Sequence, residues 1–471
     1  MRDIKYKLTI SVMASNRKDT LPKTLESIKP ILENVSSELI VTDTGCDEEL
    51  LEIIRGYTDK IVKFQWCNDF SKARNVSVEL AQGQWYMFVD DDEWFEDVTS
   101  IINFFNSKES EKYNAFDYVQ RNYSDYQGAS WRDMPVGRAT RLVDGQKFVD
   151  VIHEHFLYNL QPIKMMDAYV HHYGYIYKSV EEQMNHSKRN LQLLEKQMAE
   201  GNHHLRQYVH MLQEYNGLEQ HEKAYEMALQ GLQKAEENNE YIIKYVSGIK
   251  TNIVYSLLNM NKSEEVISRA CQYMREGAIN MSAYCAINGF LTHAYYGTDN
   301  TTGVIDTAKE YFGLLKQLKK NMIQMVHENV LTVGTAFSDV MPNMVFNMAL
   351  MAAVQMQDEE SALDIMKEVE VVDYLKSVDD GEWLQELVDM MLKSTEKTCY
   401  AKTIALYMND LMCATKICNK LLDIKEQDEE SFMMLAKNIV AIESDNPQIK
   451  LLRTIYYGLK GEVDKLRHDN L

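Results

Sequence analysis

Hydrophobic and polar positions follow two different patterns along this chain of 471 residues, and the pattern changes near residue 180. In the first part, short apolar runs alternate with segments whose apolar positions recur at helical spacing. The predicted strands are residues 7–15, 38–44, 60–66 and 84–89, and the predicted helices are residues 20–32, 47–57 and 69–82, the last closed by Gly83. Strands that alternate with helices at this spacing predict right-handed crossovers and a mostly parallel sheet, an α/β fold of the Rossmann-like kind.

The second part of the chain has the pattern of an all-helical repeat protein. Residues 204–235 read as two helices, and Ala224 and Ala228 let the helices approach closely. The string HEKAYEMALQGL (residues 221–232) resembles the second helix of a tetratricopeptide repeat. Further helical patterns in poor register follow at residues 242–259, 263–275, 304–319, 344–357, 362–370, 401–412 and 431–442. We therefore predict two domains, an α/β domain over residues 1–178 and a helical-repeat domain over residues 179–471.

Polar residues stand where several predicted strands end. Asn16 follows the first strand, Asp43 ends the second, and the acidic turn Asp90–Glu93 follows the fourth. In a parallel sheet, ligands bind outside the carboxyl ends of the strands, so these clusters predict one binding site. Asp43 could accept a hydrogen bond from a base or ribose, or could cap the next helix. Arg74, within the third helix, could reach a diphosphate or pair with a nearby acid.

The acidic turn is the strongest candidate for chemistry. Because side chains alternate along a strand, Asp90 and Asp92 lie on the same side of the chain. Neighbouring carboxylates stay ionised at low cost only with a cation or several donors between them. Mg²⁺ and Mn²⁺ suit such oxygen ligands. A solvated acidic loop is the alternative, and the buried strand pattern of residues 84–89 counts against it.

Two histidine segments occur later in the first part, His153–His155 (H-E-H) and His171–His172. A lone histidine is more often structural than a ligand, but an imidazole can complete a divalent metal site. A buried Glu154 could serve as a general base. The H-E-H string differs from the zinc-protease pattern H-E-x-x-H, because residues at i and i+2 do not share a helix face.

Composition excludes several classes of protein. The formal net charge is −21, and nucleic-acid binders neutralise phosphates with clustered lysine and arginine, so no nucleic-acid partner is expected. No apolar run approaches the roughly 18–20 residues that span a bilayer, and the N-terminus lacks a secretory-signal pattern. The seven cysteines form no C-x-x-C pair, which is typical of free thiols in the cytoplasm.

Three segments carry a resemblance to a known family: ISVMASNRKDTLPKTLESI, ELIVTDTG and WCNDFSKARNVSVELAQGQWYMFVDDDEWF. They resemble the family 2 glycosyltransferases of the GT-A fold, and Trp66–Glu93 is the most specific part. The pattern is similar to the bacterial subgroup with C-terminal tetratricopeptide-like repeats, which includes peptide S-glycosyltransferases of the sublancin type. The later elements His153-Glu154 and His172–Tyr175 also look like that subgroup. The specific resemblance covers the first 178 residues.

The resemblance implies a role for nine residues. Those that border the nucleotide sugar are Ala14, Asn16, Asp43, Arg74, Asp90 and Asp91. Asp92 would hold Mn²⁺ or Mg²⁺ with His172 as a further ligand, and Glu154 would be the catalytic base. The chain departs from the common family pattern at Arg17, where many members have glutamate.

The implied activity is inverting, metal-dependent transfer of glucose or N-acetylglucosamine from a UDP-sugar to a peptide or protein side chain. The helical repeats would present the acceptor, since repeat domains form long concave surfaces. One alternative is synthesis of a polysaccharide or cell-surface glycan. Another is a non-catalytic repeat scaffold with a decayed transferase domain, which the intact acidic turn and His153-Glu154 element disfavour. A homodimer through the helical domain is a further expectation.

Overall fold

The computed structural model describes residues 3–123, 131–174, 176, 179–201, 203–237, 242–321, 340–372, 375–442 and 446–462. The chain divides into two compact units, Met1–Gln220 and His221–Leu471. The predicted domain boundary between residues 178 and 179 stays a prediction, since residue 178 lies outside the described residues. No helix in the described part of the chain is long and apolar enough to cross a membrane.

The first unit combines a large sheet with flanking helices. Its strands are β1 (Tyr6–Ala14), β2 (Ser37–Asp43), β3 (Ile61–Lys63), β4 (Gly83–Asp90), β5 (Glu93–Phe95), β6 (Ala115–Tyr123), β7 (Trp131–Arg141), β8 (Phe148–Val149), β9 (His155–Phe156) and β10 (Ile163–His172). Its helices are α1 (Leu21–Asn34), α2 (Glu48–Arg55), α3 (Phe70–Leu80), α4 (Thr99–Asn106), α5 (Val180–Ala199) and α6 (Leu205–Gly217). A short 3₁₀ helix spans Lys108–Lys112.

Eight strands form one mixed sheet in the order β3-β2-β1-β4-β7-β6-β10-β5. The strands β3, β2, β1 and β4 pair in parallel, as do β6 and β10, whereas β7 runs antiparallel to both of its neighbours. This GT-A-like α/β architecture confirms the predicted fold of the first part. In the register, Ala14 lies beside Asp43, and Met13 lies beside Asp90. The carboxyl ends of three parallel strands therefore meet at one edge, as predicted.

Strand β1 is buried on both faces, and buried polar residues, Thr9 and Ser11, alternate with its apolar ones. Leu8, Ile10 and Val12 join the apolar core that also contains the buried side of α1. On the opposite face, the Ser11 hydroxyl donates to Ser77 of α3 at 2.8 Å. The four predicted strands and three predicted helices of this region are all present, with ends that differ by a few residues.

Gly83 has a different role from the predicted helix stop. Helix α3 ends at Leu80, and Gly83 is the first residue of β4. A Cβ at this position would lie 2.4 Å from the backbone nitrogen of Thr9 and 2.7 Å from the carbonyl carbon of Leu8. The glycine is therefore needed because the first residue of β4 approaches the β1 backbone more closely than any side chain allows.

Substituting Gly83→Ala is expected to destabilise the first unit by about 1–3 kcal/mol, the usual cost of forcing an extra carbon into a packed interior. The measurement is urea unfolding followed by the fluorescence of the buried Trp85. Gly217→Ala is the matched control, because a Cβ there meets only the Ser187 hydroxyl at 3.4 Å. Equal stability of the Gly83→Ala variant and the wild type would contradict the close approach.

The second unit is entirely helical within its described residues. Its helices are α7 (His221–Glu237), α8 (Ile243–Asn259), α9 (Ser263–Glu276), α10 (Met281–Tyr296), α11 (Thr301–Lys320), α12 (Val340–Gln355), α13 (Glu359–Met366), α14 (Trp383–Lys393), α15 (Lys397–Tyr407), α16 (Leu411–Gln427), α17 (Glu429–Val440) and α18 (Pro447–Lys460). Successive helices pack against each other, as in tetratricopeptide-like repeats. Ala224 and Ala228 are buried in α7, which packs on α8.

The predicted repeat over residues 204–235 forms two helices, α6 and α7, but these fall in different compact units. Helix α6 belongs with the sheet in the first unit. The other segments predicted as helical each contain a helix. The sequence patterns missed several more, among them α5, α10 and α16.

Candidate active site

A cavity of about 1460 Å³ opens in the first unit beside the acidic turn. The predicted site residues that line it are Asn16, Arg74, Asp90, Asp91, Asp92, Glu154 and His172. Two others, Ala14 and Asp43, lie at the ends of β1 and β2 but do not line this cavity. Side chains of α5 and α6 form a further part of the lining. The structure thus brings seven of the nine predicted residues to one cavity.

Two buried arginines neutralise the first acid of the turn. Asp90 Oδ1 accepts from Arg74 Nη2 at 2.5 Å, and its Oδ2 lies 3.0 Å from Arg138 Nη2. Burial alone would raise the pKa of Asp90, but the two guanidinium groups outweigh it and hold the pKa well below its ordinary value. Arg74 Nε also donates to Glu154 Oε1 at 2.5 Å. One arginine therefore joins the acidic turn to the His-Glu segment.

The arginine side chains are held by aromatic rings. The Arg74 guanidinium lies 4.4 Å from the Phe88 ring centroid, and that of Arg138 lies 4.7 Å from the same centroid. Glu93, the fourth acid of the turn, is fully buried and accepts from Arg138 and Gln120. Glu93 is therefore a structural brace and does not line the cavity.

Sequence reasoning missed Arg138 and Gln120. Arg138 lies on β7 and Gln120 on β6, both far along the chain from the acidic turn and among other polar residues of these strands. Nothing in their local sequence marks a partner, because the antiparallel pairing of β7 with β4 and β6 brings them to the turn.

The second acid ties the loop after β1 to the turn. Asp91 Oδ2 accepts from the backbone nitrogen and the hydroxyl of Ser15, both at 2.6 Å. The Thr20 hydroxyl donates to the Asp91 carbonyl oxygen at 2.7 Å. Burial raises the pKa of Asp91 even though Ser15 and Arg17 oppose the rise. The loop of residues 15–20 is therefore fixed against the acids it faces.

Asp92 and His172, the two predicted metal ligands, face each other. Asp92 Oδ1 lies 3.9 Å from His172 Nε2. On the other side of the ring, His172 Nδ1 lies 2.7 Å from the amide oxygen of Asn122. Because that oxygen only accepts, Nδ1 carries the hydrogen of this bond, and Nε2 is the ring nitrogen on the side of Asp92. Asn122 was not predicted from the sequence.

Gly174 makes room beside this pair. A Cβ on Gly174 would lie 2.4 Å from His172 Nε2 and 3.1 Å from Asp92 Oδ2. Any side chain here would fill the space between the carboxylate and the imidazole. Among the described residues, no group of three histidine, cysteine, aspartate or glutamate side chains has the arrangement of a complete metal site. Asp92 and His172 therefore offer two ligands, not a closed protein cage.

Asp43 shapes the turn after β2. Its Oδ1 accepts from the backbone nitrogens of Gly45 at 2.9 Å and Cys46 at 2.8 Å. The N-cap of α2 is Asp47, which accepts from Leu50 at 3.1 Å. Asp43 thus accepts from backbone nitrogens as a helix cap does, but it does so in the turn before α2 and not at the N-terminus of the helix. Its contact with a base or ribose stays a prediction.

The loop that carries Glu154 has an unusual backbone. Asp150 has φ 74° and His153 has φ 55°, and left-handed conformations of such residues cost about 1–3 kcal/mol each. Side chains of α5 and α6 hold the loop: Gln197 donates to Asp150 at 2.7 Å, and Arg206 donates to the His153 carbonyl oxygen at 2.8 Å. These helices therefore position Glu154, although the sequence pattern assigned them to the repeat domain.

Helices α5 and α6 also give the cavity a polar wall. The Asn190 amide donates to Glu214 Oε1 at 2.8 Å and accepts from Arg189 at 2.9 Å. His153 Nε2 lies 3.9 Å from Glu214 Oε1, and burial lowers the pKa of His153 to about 4. Burial raises the pKa of Glu214. Imidazole, amide, guanidinium and carboxyl groups therefore lie close together in this wall.

Comparisons with known proteins bear on the same region. Residues 9–165 match the profile of the family described as Glycosyl transferase family 2. The chain is 26% identical over 205 residues to the SPbeta prophage-derived glycosyltransferase SunS of Bacillus subtilis, which covers 41% of this chain and 45% of that protein. It is 29% identical over 123 residues to UDP-Glc:alpha-D-GlcNAc-diphosphoundecaprenol beta-1,3-glucosyltransferase WfaP of Escherichia coli, covering 25% of this chain and 45% of WfaP.

A third match is a TPR repeat-containing protein of Synechococcus elongatus, 31% identical over 86 residues, or 18% of this chain and 20% of that protein. The chain thus spans less than half the length of each of these relatives. The family match covers β1 to β4 and the acidic turn, and it extends into β10. Residues 9–165 of the chain are therefore similar to glycosyl transferase family 2.

Proposed function

We propose that this protein is an inverting, metal-dependent glycosyltransferase that moves glucose or N-acetylglucosamine from a UDP-sugar to a peptide or protein side chain. The observation that supports it most is the convergence of Arg74, Glu154, His172 and the acids Asp90–Asp92 on one cavity. The intact ion-pair network around them favours an active enzyme over a decayed scaffold.

Asp92 and His172 would hold the divalent cation, Mn²⁺ or Mg²⁺. Their facing atoms are 3.9 Å apart, and each can reach one ion because such ions bind their ligands at about 2.0–2.2 Å. The missing Cβ of Gly174 leaves the space beside them. The bound metal would stabilise the charge that develops on the departing diphosphate.

Asn122→Ala is expected to lower the Mn²⁺ affinity by about 10–100-fold, the usual effect of losing a group that orients a metal-binding histidine. The variant loses the hydrogen bond from His172 Nδ1 to the Asn122 amide oxygen, which helps to orient the His172 ring. Calorimetric titration with Mn²⁺ in the presence of UDP measures the change. Asn106→Ala, at an exposed position on α4, is the control. An unchanged affinity would mean that His172 is not a ligand.

The donor would lie between the loop after β1 and the acidic turn. We assign the base and ribose to the region of Ala14, Asn16 and Asp43, and the diphosphate and sugar to that of Asp90, Asp91 and Arg74. Arginine suits this role because its fork pairs with phosphate oxygens. A UDP-sugar is favoured because the name of the relative WfaP specifies UDP-Glc as its donor.

Glu154 is the proposed catalytic base. Its ion pair with Arg74 fixes the direction of the carboxylate at the cavity wall. In an inverting reaction, this carboxylate takes the proton of the acceptor nucleophile while that nucleophile attacks the anomeric carbon from the face opposite the diphosphate. No covalent intermediate with the enzyme is required.

The size and lining of the cavity support a polar acceptor. A drug-sized ligand occupies a pocket of about 300–1,000 Å³, so a cavity of 1460 Å³ has room for a donor and a second ligand. The lining also includes Arg189, Asn190 and Glu214, whose polar and charged groups suit a peptide better than a lipid tail. The resemblance of the sequence motifs to peptide S-glycosyltransferases favours the peptide, whereas the name of WfaP keeps a lipid-linked glycan as the alternative.

The direct test is UDP release from UDP-glucose and UDP-N-acetylglucosamine by the purified protein with Mn²⁺. We expect slow hydrolysis of one donor, abolished by a chelator and accelerated by peptides with a central serine, threonine or cysteine. If neither donor changes the melting temperature of the protein with metal present, the enzyme proposal fails. If a sugar-diphosphoundecaprenol analogue accelerates release and the peptides do not, the acceptor proposal fails.

Two wider expectations complete the proposal. All seven cysteines are free, which agrees with a location in the cytoplasm. A homodimer through the helical unit is the expected assembly. Sedimentation of the purified protein over a range of concentrations tests that expectation.

A further inference from the structure

The loop after β1 carries Arg17, whose guanidinium group lies beside Asp91 and Asp92 at the proposed metal site. Arg17 Nη1 lies 3.0 Å from Asp92 Oδ2, and Arg17 Nε lies 3.2 Å from Asp91 Oδ1, so one guanidinium bridges two carboxylates. The Arg17 side chain is 51% exposed, whereas those of Asp91 and Asp92 are only 9% and 11% exposed. A long, half-exposed side chain thus lies against two nearly buried carboxylates that line the cavity.

Asp92 depends on the Arg17 guanidinium more than Asp90 and Asp91 do. Asp90 is paired with two buried arginines, and Asp91 accepts two hydrogen bonds from Ser15. In the described part of the chain, the ion-pair partners within 4 Å of Asp92 are Arg17 and His172, and of these two Arg17 has the permanent positive charge. Because a buried carboxylate is costly without a partner, Arg17 supplies the charge that a bound metal would otherwise supply.

We infer that the Arg17 guanidinium neutralises Asp91 and Asp92 in the metal-free protein, and that a divalent cation must displace it in order to bind. This inference rests on the proposed metal-dependent function. The displaced guanidinium then binds the diphosphate of the donor. Arginine pairs with phosphate oxygens through parallel hydrogen bonds, and Arg17 lines the cavity in which the donor is proposed to lie. The same side chain therefore weakens the binding of metal alone and strengthens the binding of metal together with nucleotide.

This exchange links the two ligands thermodynamically. A nucleotide that draws Arg17 away from Asp92 lowers the cost of binding the metal, and by reciprocity the metal lowers the cost of binding the nucleotide. Removing the guanidinium removes both the competition and this part of the coupling. The inference thus makes separate predictions for the metal alone and for the metal with UDP.

The experiment is a Mn²⁺ titration of the full chain without nucleotide, in which the spectrum of free Mn²⁺ is followed by electron paramagnetic resonance. Arg17→Met is expected to bind Mn²⁺ about tenfold more tightly than the wild type, because a charge in contact with Asp92 no longer competes. Lys18→Met is the control, since Lys18 lines the same cavity but pairs with Asp47 and Glu49. We expect its affinity to stay within about twofold of the wild type.

Adding UDP to the same titration tests the second part. UDP should tighten Mn²⁺ binding by a larger factor in the wild type than in Arg17→Met. Arg17→Gln provides a second neutral variant in case the methionine variant does not fold, and Arg17→Lys, which keeps the charge, should stay close to the wild type.

Suppose that the wild type binds Mn²⁺ in the presence of UDP. The inference is then overturned if the neutral variants bind Mn²⁺ without UDP no more tightly than the wild type does without UDP. That result leaves the proposed metal site intact. If the wild type binds no Mn²⁺ even with UDP, the metal-dependent function fails and the inference fails with it.

Discussion

Asp92→Asn is expected to reduce sugar transfer by about a thousandfold or more while the fold stays as stable as before. Asparagine keeps the shape of the side chain but removes the charge proposed to hold the metal beside His172. The rate is measured as UDP release with Mn²⁺, and Mn²⁺ binding should be lost in parallel. Asp19→Asn, the same change at an exposed position in the same cavity, should keep nearly full activity.

The stability of the Asp92→Asn variant has a predicted sign. Burial is the main cause that raises the pKa of Asp92, and His172 and Arg17 only partly oppose it. For a carboxyl whose pKa is higher in the folded state, folding stability falls as the pH rises from the unfolded pKa through the folded pKa. At pH 7, which lies above the unfolded pKa, Asp92 therefore lowers the stability of the fold, and replacing it should leave stability equal or raise it by about 0.5–2 kcal/mol.

An active Asp92→Asn enzyme would place the metal site elsewhere. An inactive variant with a markedly lower unfolding free energy would instead indicate that Asp92 supports the fold. The combination of lost activity and kept stability is thus the result that supports a functional role.

Arg74→Met is expected to have the largest effect on stability, about 3–5 kcal/mol, because it leaves Asp90 and Glu154 buried with one shared partner removed. The Arg74 side chain is 5% exposed and joins the two acids across the site. Methionine keeps the contact with Phe88 but supplies no charge. Thermal and urea unfolding of the first unit measure the loss.

Lys72→Met is the control on the same helix, because Lys72 is exposed and its ion pair with Asp69 is worth about 0–1 kcal/mol. Adding Asp90→Asn and Glu154→Gln to Arg74→Met should restore much of the stability, since no unpaired charge then remains. Transfer activity should stay lost in that triple variant. If Arg74→Met unfolds like the wild type, the ion-pair network is not important for the fold.

The sequence predicted the sheet edge well because the relevant signals are local. The strand patterns that end at Asp43 and Asp90, and the helix that carries Arg74, depend on residues close together in the chain. The second ring of contacts was not predictable in this way. Arg138, Gln120 and Asn122 reach the acids only through strand pairing over long distances in sequence, and nothing in the local sequence distinguishes them from the other polar residues of β6 and β7.

The helical part was predicted in class but not in detail. Most residues of helix α10 are buried, so its apolar positions are spread around the helix and give no clear amphipathic period. The placement of α6 in the helical-repeat domain had a different cause. Its helical pattern is the same whether it packs on other helices or on the loop that carries Glu154.

The hydrogen bonds from Gln197 of α5 and Arg206 of α6 to the loop that carries Glu154 determine where this chain can be joined to part of a related protein. The family match stops at residue 165, and the change in sequence pattern lies near residue 180. A chimera joined at either point would take its Arg206 and Gln197 equivalents from another protein. Recombination between relatives should therefore preserve catalysis best when the junction falls after residue 220, where the first compact unit ends.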